Sequence, residues 1–175
     1  MKKFLLIIGL FALTVSATFA QDIDFVETGD EINFNSNELY ISCGTPSLAS
    51  IVTPLFTIMF TAGTVVPEIS KGTYSGGYNY YFNEHWAVGG NITYEKVSSK
   101  PSLSFQAKGT AQYGWTHFKF YHALSIGIMS IGTTCNPIFD VIPLGMKLDY
   151  NDFNIFVETS IISTGLLKIG ASYKF

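Results

Sequence analysis

The chain has 175 residues, which is the length of one domain. Charged residues make up 13% of it, about half the usual share, while aromatic residues make up 15%. All ten basic residues are lysine and the formal net charge is −3, which excludes a basic patch for nucleic acid. A water-soluble domain so poor in charge would expose a large apolar surface, so the composition favours a membrane protein.

The first twenty residues have the parts of a secretory signal peptide. Lys2 and Lys3 form a charged start, residues 4–15 are apolar, and residues 18–20 provide a cleavage site before Gln21. The alternative is a membrane anchor, but the apolar run is short for a span. We therefore predict a signal peptide over 1–20, and its removal leaves a net charge of −5.

An acidic stretch follows the cleavage site. Six of the thirteen acidic residues lie there: Asp22, Asp24, Glu27, Asp30, Glu31 and Glu38. Their spacing matches no calcium-binding loop, so a metal site is disfavoured. We interpret residues 21–36 as a solvated, periplasmic lead-in and group Glu38 with it.

From residue 37 onwards, apolar and polar residues alternate with the period of β-strands. Eight strands of about ten residues are predicted, which is long enough to cross a bilayer at a tilt. Their ranges are 37–44, 72–82, 86–97, 103–115, 118–131, 139–150, 153–162 and 166–175. We therefore assign residues 37–175 to an all-β fold, an eight-stranded antiparallel transmembrane β-barrel with both termini on one side.

The apolar face of each predicted strand is assigned to the outside of the barrel. In the first strand Leu39 and Ile41 alternate with the inward-facing Tyr40 and Ser42, and in the sixth strand Ile142 is placed outside. The opposite assignment, with the apolar faces inside, would give a soluble lipocalin-like barrel. The low charge and the positions of the aromatic residues argue against that alternative.

Aromatic residues flank three short polar turns, at 83–85, 116–117 and 151–152, and also end the chain. This pattern is typical of one membrane–water interface of a barrel. The predicted periplasmic aromatic girdle consists of Phe82, Trp86, Trp115, Phe118, Tyr150, Phe153, Tyr173 and Phe175. The opposite, extracellular side then holds the segments 45–71, 98–102, 132–138 and 163–165.

Several charged residues fall on the inward faces and form the predicted lumen network: Glu95, Lys108, Lys147, Glu158 and Lys168. An eight-stranded barrel has room inside only for side chains. These charges should therefore pair with one another, because an unpaired buried charge is costly. Glu158 is predicted to bridge to Lys147, to Lys168 or to both; a proton or ion relay is the functional alternative.

The segment 48–66 is apolar and has a partly helical spacing that Pro54 interrupts. Its candidate contact residues are Leu55, Phe56, Met59 and Phe60. Such a segment can cap the mouth of the barrel, lie in the outer leaflet, or bind a hydrophobic ligand or a protein partner. Capping is the preferred interpretation.

Cys43 and Cys135 are the only cysteines, and both are predicted near the extracellular rim. A disulfide between them is one interpretation, since an exported protein folds in an oxidising compartment.

The histidines give no catalytic constellation. His85 and His117 lie in predicted periplasmic turns, and His122 and Ser125 fall on opposite faces of a strand. The sequence also contains no metal-binding or nucleotide-binding motif. We therefore expect no enzyme activity, no cofactor and no metal.

A set of short motifs resembles a known family: GTPS at 44–47, YNYYFN at 78–83, WAVGG at 86–90, PLG at 143–145, FVE at 156–158 and YKF at 173–175. The chain resembles the small outer-membrane β-barrel domain proteins common in Bacteroidota, of OmpX-like size. The resemblance covers most of the mature chain and implies the fold and the bacterial outer membrane, but it says little about activity. The long apolar first loop departs from the shortest barrels of this kind.

The sequence thus predicts a porin-like, monomeric outer-membrane barrel with a structural or surface-interaction role through the segments 45–71 and 132–138. A narrow pore or a hydrophobic-ligand transporter is the alternative, and a lipid-modifying enzyme is less favoured. The expected partners are outer-membrane lipid and a hydrophobic ligand or surface protein.

Overall fold

The computed structural model describes residues 37–61, 70–97, 100–162 and 164–175, which form eight strands and one helix. These are β1 (Asn37–Gly44), α1 (Leu48–Phe60), β2 (Thr73–Tyr81), β3 (Trp86–Val97), β4 (Lys100–Gly114), β5 (Phe118–Ile131), β6 (Thr134–Tyr150), β7 (Phe153–Thr159) and β8 (Leu167–Lys174). Each strand pairs antiparallel with the next, and β1 pairs with β8, which closes the barrel. The predicted eight-stranded antiparallel barrel is confirmed. The predicted signal peptide at 1–20 and lead-in at 21–36 lie outside the described residues.

The wall of the barrel separates a polar inside from an apolar outside. Along β1, Glu38, Tyr40 and Ser42 are buried, whereas Leu39 and Ile41 are exposed. The alternation arises because successive side chains of a strand point to opposite faces of the sheet. This distribution is the reverse of that in a water-soluble barrel, where the apolar faces form the core.

The hairpin between β5 and β6 extends further than predicted. Ile131 pairs with Thr134, and the two residues between them form the turn, with Gly132 at a φ of +60°. The prediction of a loop over 132–138 is therefore wrong beyond its first two residues. Pro137 argues against a central strand, but β6 pairs with β7 only from Leu144 onwards, so within the described residues this proline lies on a strand edge.

A β-bulge reverses the faces of β6. The pairing register between β5 and β6 shifts just after Tyr121, and the consecutive residues Pro143 and Leu144 are both exposed. Ile142 and Gly145 on either side of them both face inside. The prediction that Ile142 faces outside is wrong, because one extra residue in a strand inverts the alternation that follows it.

The segment 45–71 contains α1, which begins after Ser47 and runs through Pro54. The Ser47 hydroxyl caps the helix by accepting a hydrogen bond from the Ser50 amide at 3.2 Å. Within the described residues, no helix is long and apolar enough to cross a membrane. The helix lies at the end of the barrel opposite to the short turns at 82–85, 115–117 and 151–152.

Candidate functional site

Glu38 is the centre of a buried cluster in the lumen, which we call the Glu38 cluster. Its carboxylate lies 2.7 Å from the Lys147 ammonium and accepts a hydrogen bond from the Tyr81 hydroxyl at 2.7 Å. Three further donors complete the cluster: Asn79 at 3.0 Å, Asn154 at 3.3 Å and Ser172 at 2.6 Å. Glu38 is only 1% exposed, so these donors replace the water that would otherwise solvate its charge.

Grouping Glu38 with a solvated lead-in is therefore wrong. The first strand begins at Asn37, and its alternation directs the next side chain into the lumen. The alternation of the predicted strand 37–44 already places Glu38 on the same inward face as Tyr40 and Ser42. Its partner Lys147 is 109 residues further along the chain, so only the ion pair has no local signal.

A second buried cluster surrounds Glu158 on β7, and we call it the Glu158 cluster. The Glu158 carboxylate contacts the ammonium of Lys168, which is its registered neighbour on β8. The ammonium of Lys108 lies 3.8 Å away, and the Tyr121 hydroxyl donates a hydrogen bond to the same carboxylate at 2.6 Å. All four side chains are buried, so the negative charge is held between two positive charges.

The structure therefore distributes the predicted lumen network differently. Glu158 contacts Lys168, one of the two predicted partners, and Lys108, whereas Lys147 pairs with the carboxylate of the Glu38 cluster. Glu95, the remaining member of the predicted network, lies near the C-terminal end of β3 and accepts a hydrogen bond from Ser47, the residue before α1.

Aromatic side chains fill the lumen between the two clusters. Tyr40 and Phe156 pack edge to face with ring centroids 5.9 Å apart, and the Lys108 ammonium lies 4.8 Å from the centre of the Tyr40 ring. A small cavity of about 10 Å³ remains, which is close to the space of one water molecule. It is lined by Glu38, Tyr40, Asn79, Tyr81, Lys108, Thr110, Tyr121, Lys147 and Phe156. This section of the lumen is thus closed by side chains.

Asp140 forms a further buried site that the sequence analysis missed. Its carboxylate accepts hydrogen bonds from the hydroxyls of Ser160, at 2.7 and 2.8 Å, and Thr164, at 2.6 Å, and from the Ile162 amide at 3.1 Å. Asp140 thereby fastens the connection between β7 and β8 to β6. The predicted strand 139–150 already contained Asp140 but placed it on the outward face together with Ile142, because the bulge after Ile142 was not foreseen.

Two hydrogen bonds from Ser47, the residue before α1, attach the helix to Glu95 on β3. The Glu95 carboxylate accepts from the Ser47 amide at 3.0 Å and from the Ser47 hydroxyl at 2.6 Å. Ser47, Ser50 and Pro54 are all buried, so one face of α1 is covered. Glu95 is the fixed point on the barrel from which the helix extends. That the segment 45–71 caps the mouth of the barrel stays a prediction, since residues 62–69 lie outside the described residues.

The other face of α1 is apolar and exposed. Leu55, Phe56, Met59 and Phe60 are all exposed, the last two by 79% and 83%, and the rings of Phe56 and Phe60 stack with centroids 6.1 Å apart. The thirteen residues of the helix include no charged side chain. A face of this kind is unfavourable in water, so these residues form the candidate contact surface.

The predicted girdle residues lie on the outside of one end of the barrel, and seven of the eight are exposed while Phe118 is half-buried. The rings of Trp115 and Phe118 stack, as do those of Tyr173 and Phe175. Inside the same end, the carboxylate of Asp149 lies 3.3 Å from the Lys119 ammonium and 2.8 Å from the Lys174 ammonium. Aromatic rings on the outer face and ion pairs on the inner face therefore lie at the same end of the barrel.

The remaining candidate residues do not assemble into a catalytic site. His122 faces outward, stacks on Tyr113 and shares a hydrogen bond with its hydroxyl at 2.8 Å, while its other ring nitrogen contacts the Pro143 carbonyl. Ser125 faces the lumen and donates to the Gln106 side chain at 2.9 Å. Among the described residues there is no cluster of three or more potential metal ligands.

Cys43 and Cys135 are free thiols, and the structure does not contain the disulfide that was one interpretation of the sequence. The two residues lie on β1 and β6, which are separated by β7 and β8 along the wall, and both side chains are exposed on the outside. A disulfide requires neighbouring Cβ atoms, which this arrangement does not provide.

An apolar groove of about 1030 Å³ interrupts the outer wall. Its outward-facing lining includes small residues, Gly76, Gly90, Ala107 and Ala171, set among larger ones, Leu39, Ile41, Tyr78, Ile92, Phe105 and Tyr173. No charged residue lines it. The groove is part of the same apolar outer surface as the rest of the wall.

Comparison with known proteins gives the fold and no family. No protein-family model matches the chain, and no curated protein matches it. The chain is similar to a solved structure described as "De novo design of transmembrane beta-barrels", with a TM-score of 0.56 and 13% sequence identity over 81% of this chain and 96% of that chain. At this identity the likeness concerns the closed barrel fold alone.

Proposed function

We propose that this protein is a bacterial outer-membrane β-barrel whose role is structural or interactive and not catalytic. The observation that carries the proposal is the combination of an apolar outer wall with a lumen closed by ion pairs and aromatic rings. The expected signal peptide and the resemblance to small Bacteroidota barrels favour the outer membrane as the compartment.

The distribution of side chains supports insertion into a bilayer. Leu124, Ile126 and Ile128 on β5 are exposed on the outside, whereas the buried residues of the lumen are largely polar or charged. In water this arrangement would expose a continuous apolar belt, which a soluble monomer avoids. In a bilayer the same belt contacts lipid, and the aromatic girdle lies at an interface.

The closed lumen supports a scaffold and argues against the alternative of a narrow pore. The Glu38 and Glu158 clusters lie inside the wall, and the cavity beside them holds about one water molecule. A conducting pore of this kind would need a continuous aqueous path, which larger barrels provide and eight strands do not.

The exposed face of α1 supports an interaction role at the membrane surface. Because Glu95 and Ser47 fix the start of the helix, its apolar face is presented in a defined orientation and not on a free loop. We propose that Leu55, Phe56, Met59 and Phe60 contact outer-leaflet lipid or a hydrophobic partner at that surface.

The first experiment is gel mobility of the outer-membrane fraction, unboiled against boiled. A folded barrel that resists detergent until heated should migrate differently in the two samples. A protein found in the soluble fraction without a shift would contradict the proposal and favour an inverted, lipocalin-like barrel. Planar-bilayer recordings then test the lumen: we expect no channel conductance under conditions in which a porin conducts, and steady single-channel currents would favour the pore.

A further inference from the structure

The small lumen cavity lies between the Glu38 and Glu158 clusters and is bordered by atoms that need hydrogen bonds. Three side-chain atoms of its lining have no hydrogen-bond partner within the described residues: the Tyr40 hydroxyl, Asn79 Oδ1 and the Thr110 hydroxyl. Tyr40 is 6% exposed, and Asn79 and Thr110 are each 5% exposed, so bulk water does not satisfy these groups. Buried polar atoms are rarely left unpaired because desolvation without a partner is costly.

The chemistry of the three atoms matches the capacity of one water molecule. The Asn79 amide nitrogen donates to the Glu38 carboxylate at 3.0 Å, which fixes the orientation of the amide and leaves Oδ1 as an acceptor. The Tyr40 hydroxyl can donate, and the Thr110 hydroxyl can donate or accept. A water that donates to Asn79, accepts from Tyr40 and bonds to Thr110 satisfies all three groups.

We infer that the lumen contains one tightly bound structural water coordinated by Tyr40, Asn79 and Thr110. The cavity of about 10 Å³ has the size of a single water, and buried waters usually make about three hydrogen bonds. Lys108 and Lys147 also line the cavity, and their ammonium groups disfavour a cation there.

The cavity of this water borders both charged clusters. Asn79 and Lys147 belong to the Glu38 cluster, while Lys108 and Tyr121, which line the opposite part of the cavity, belong to the Glu158 cluster. The inference concerns the interior of the barrel and does not depend on which membrane contains it.

The sign of a stability change tests the inference. If the water is present, Thr110→Val removes one of its partners without changing side-chain shape, so the urea midpoint of unfolding in lipid vesicles should fall, with a roughly threefold to tenfold rise in the unfolding equilibrium constant. Tyr40→Phe should act in the same direction. If the cavity is dry, each substitution removes an unpaired buried hydroxyl, and the midpoint should rise.

Ser104 provides the matched control. Its hydroxyl is also buried, at 3% exposure, and has no partner within the described residues, but it does not line the cavity. Ser104→Ala should leave the midpoint unchanged or raise it. A fall as large as that of Thr110→Val would show that the effect does not arise from the cavity and would overturn the inference.

A direct measurement on the wild-type barrel makes the test independent of variant folding. A crystal structure at a resolution that shows ordered solvent should contain a density peak within hydrogen-bond distance of Tyr40, Asn79 and Thr110. An empty cavity between well-ordered side chains would overturn the inference.

Discussion

The ring of Tyr121 lies over Gly145, the residue opposite it on the neighbouring strand. A Cβ atom placed on Gly145 would overlap three atoms of that ring. Two other cross-strand pairs have the same geometry: Tyr40 with Gly77, and Phe156 with Gly170. The rings of Tyr121, Tyr40 and Phe156 therefore fit in the lumen because glycine lies beneath each of these three.

We expect Gly145→Ala to destabilise the barrel. The new methyl group would displace the Tyr121 ring and weaken the hydrogen bond from its hydroxyl to Glu158, and overpacking of this kind costs about 1–3 kcal/mol. The urea midpoint of unfolding in vesicles measures the effect. Gly76→Ala is the control, because a Cβ there faces outward and meets its nearest atoms at 3.6 and 3.9 Å. Equal losses in both variants would contradict the role of the ring.

The Glu38–Lys147 pair gives a second prediction. Lys147→Met leaves the buried carboxylate without its ammonium partner, and breaking one side of a buried ion pair costs about 3–5 kcal/mol. The double variant Glu38→Leu with Lys147→Met removes both charges and should recover part of this loss, because no unpaired charge then remains. Thermal unfolding in detergent, followed by gel mobility, measures all three proteins.

Glu84→Gln is the charge control for this series. Glu84 is exposed in the turn between β2 and β3, so its substitution should change stability by no more than about 0.5 kcal/mol. A Lys147→Met protein as stable as the wild type would mean that the Glu38 carboxylate is not held by the ion pair.

Strand positions were predictable because their signals are local. The bounds of β1, β3 and β5 match the predicted ranges 37–44, 86–97 and 118–131 residue for residue, since alternation and turn residues mark them directly. Where the alternation is interrupted the prediction was wrong, as at the bulge after Ile142 and in the hairpin that contains Pro137.

The partners inside the lumen could not be predicted from the same pattern. Alternation correctly indicates that Lys147 faces inward, but its partner depends on the stagger of strands around the closed barrel. In the closed barrel, Lys147 on β6 contacts Glu38 on β1. The predicted partner Glu158 lies on β7, and β1 is two strands further along the wall in the order β7, β8, β1. The attachment of α1 to the barrel is equally non-local, because the hydrogen-bonded residues Ser47 and Glu95 are 48 positions apart.

The apolar face of α1 gives a third prediction, which tests the proposed surface role. In a background with Cys43→Ser and Cys135→Ser, an environment-sensitive fluorophore on Met59→Cys should emit as in an apolar medium when the barrel is in vesicles. Brominated lipid should quench this emission if the helix contacts the leaflet. The same fluorophore on Glu84→Cys, in an exposed turn at the other end, should emit as in water. Water-like emission at both positions would contradict a membrane contact of α1.

The attachment of α1 to β3 gives the last prediction. Ser47→Ala removes both the hydrogen bond to Glu95 at 2.6 Å and the N-cap that accepts from the Ser50 amide. Loss of an N-cap costs about 1 kcal/mol, so local opening of the helix should become roughly fivefold to tenfold more frequent. Amide hydrogen exchange should therefore accelerate over residues 48–60 and stay unchanged in β3, because the strand keeps its pairing with β2 and β4. Ser70→Ala, which alters a hydroxyl in the segment just before β2, is the control and should leave exchange in α1 unchanged. Unchanged exchange in the Ser47→Ala helix would mean that contacts along α1, and not the Glu95–Ser47 attachment, hold it on the barrel.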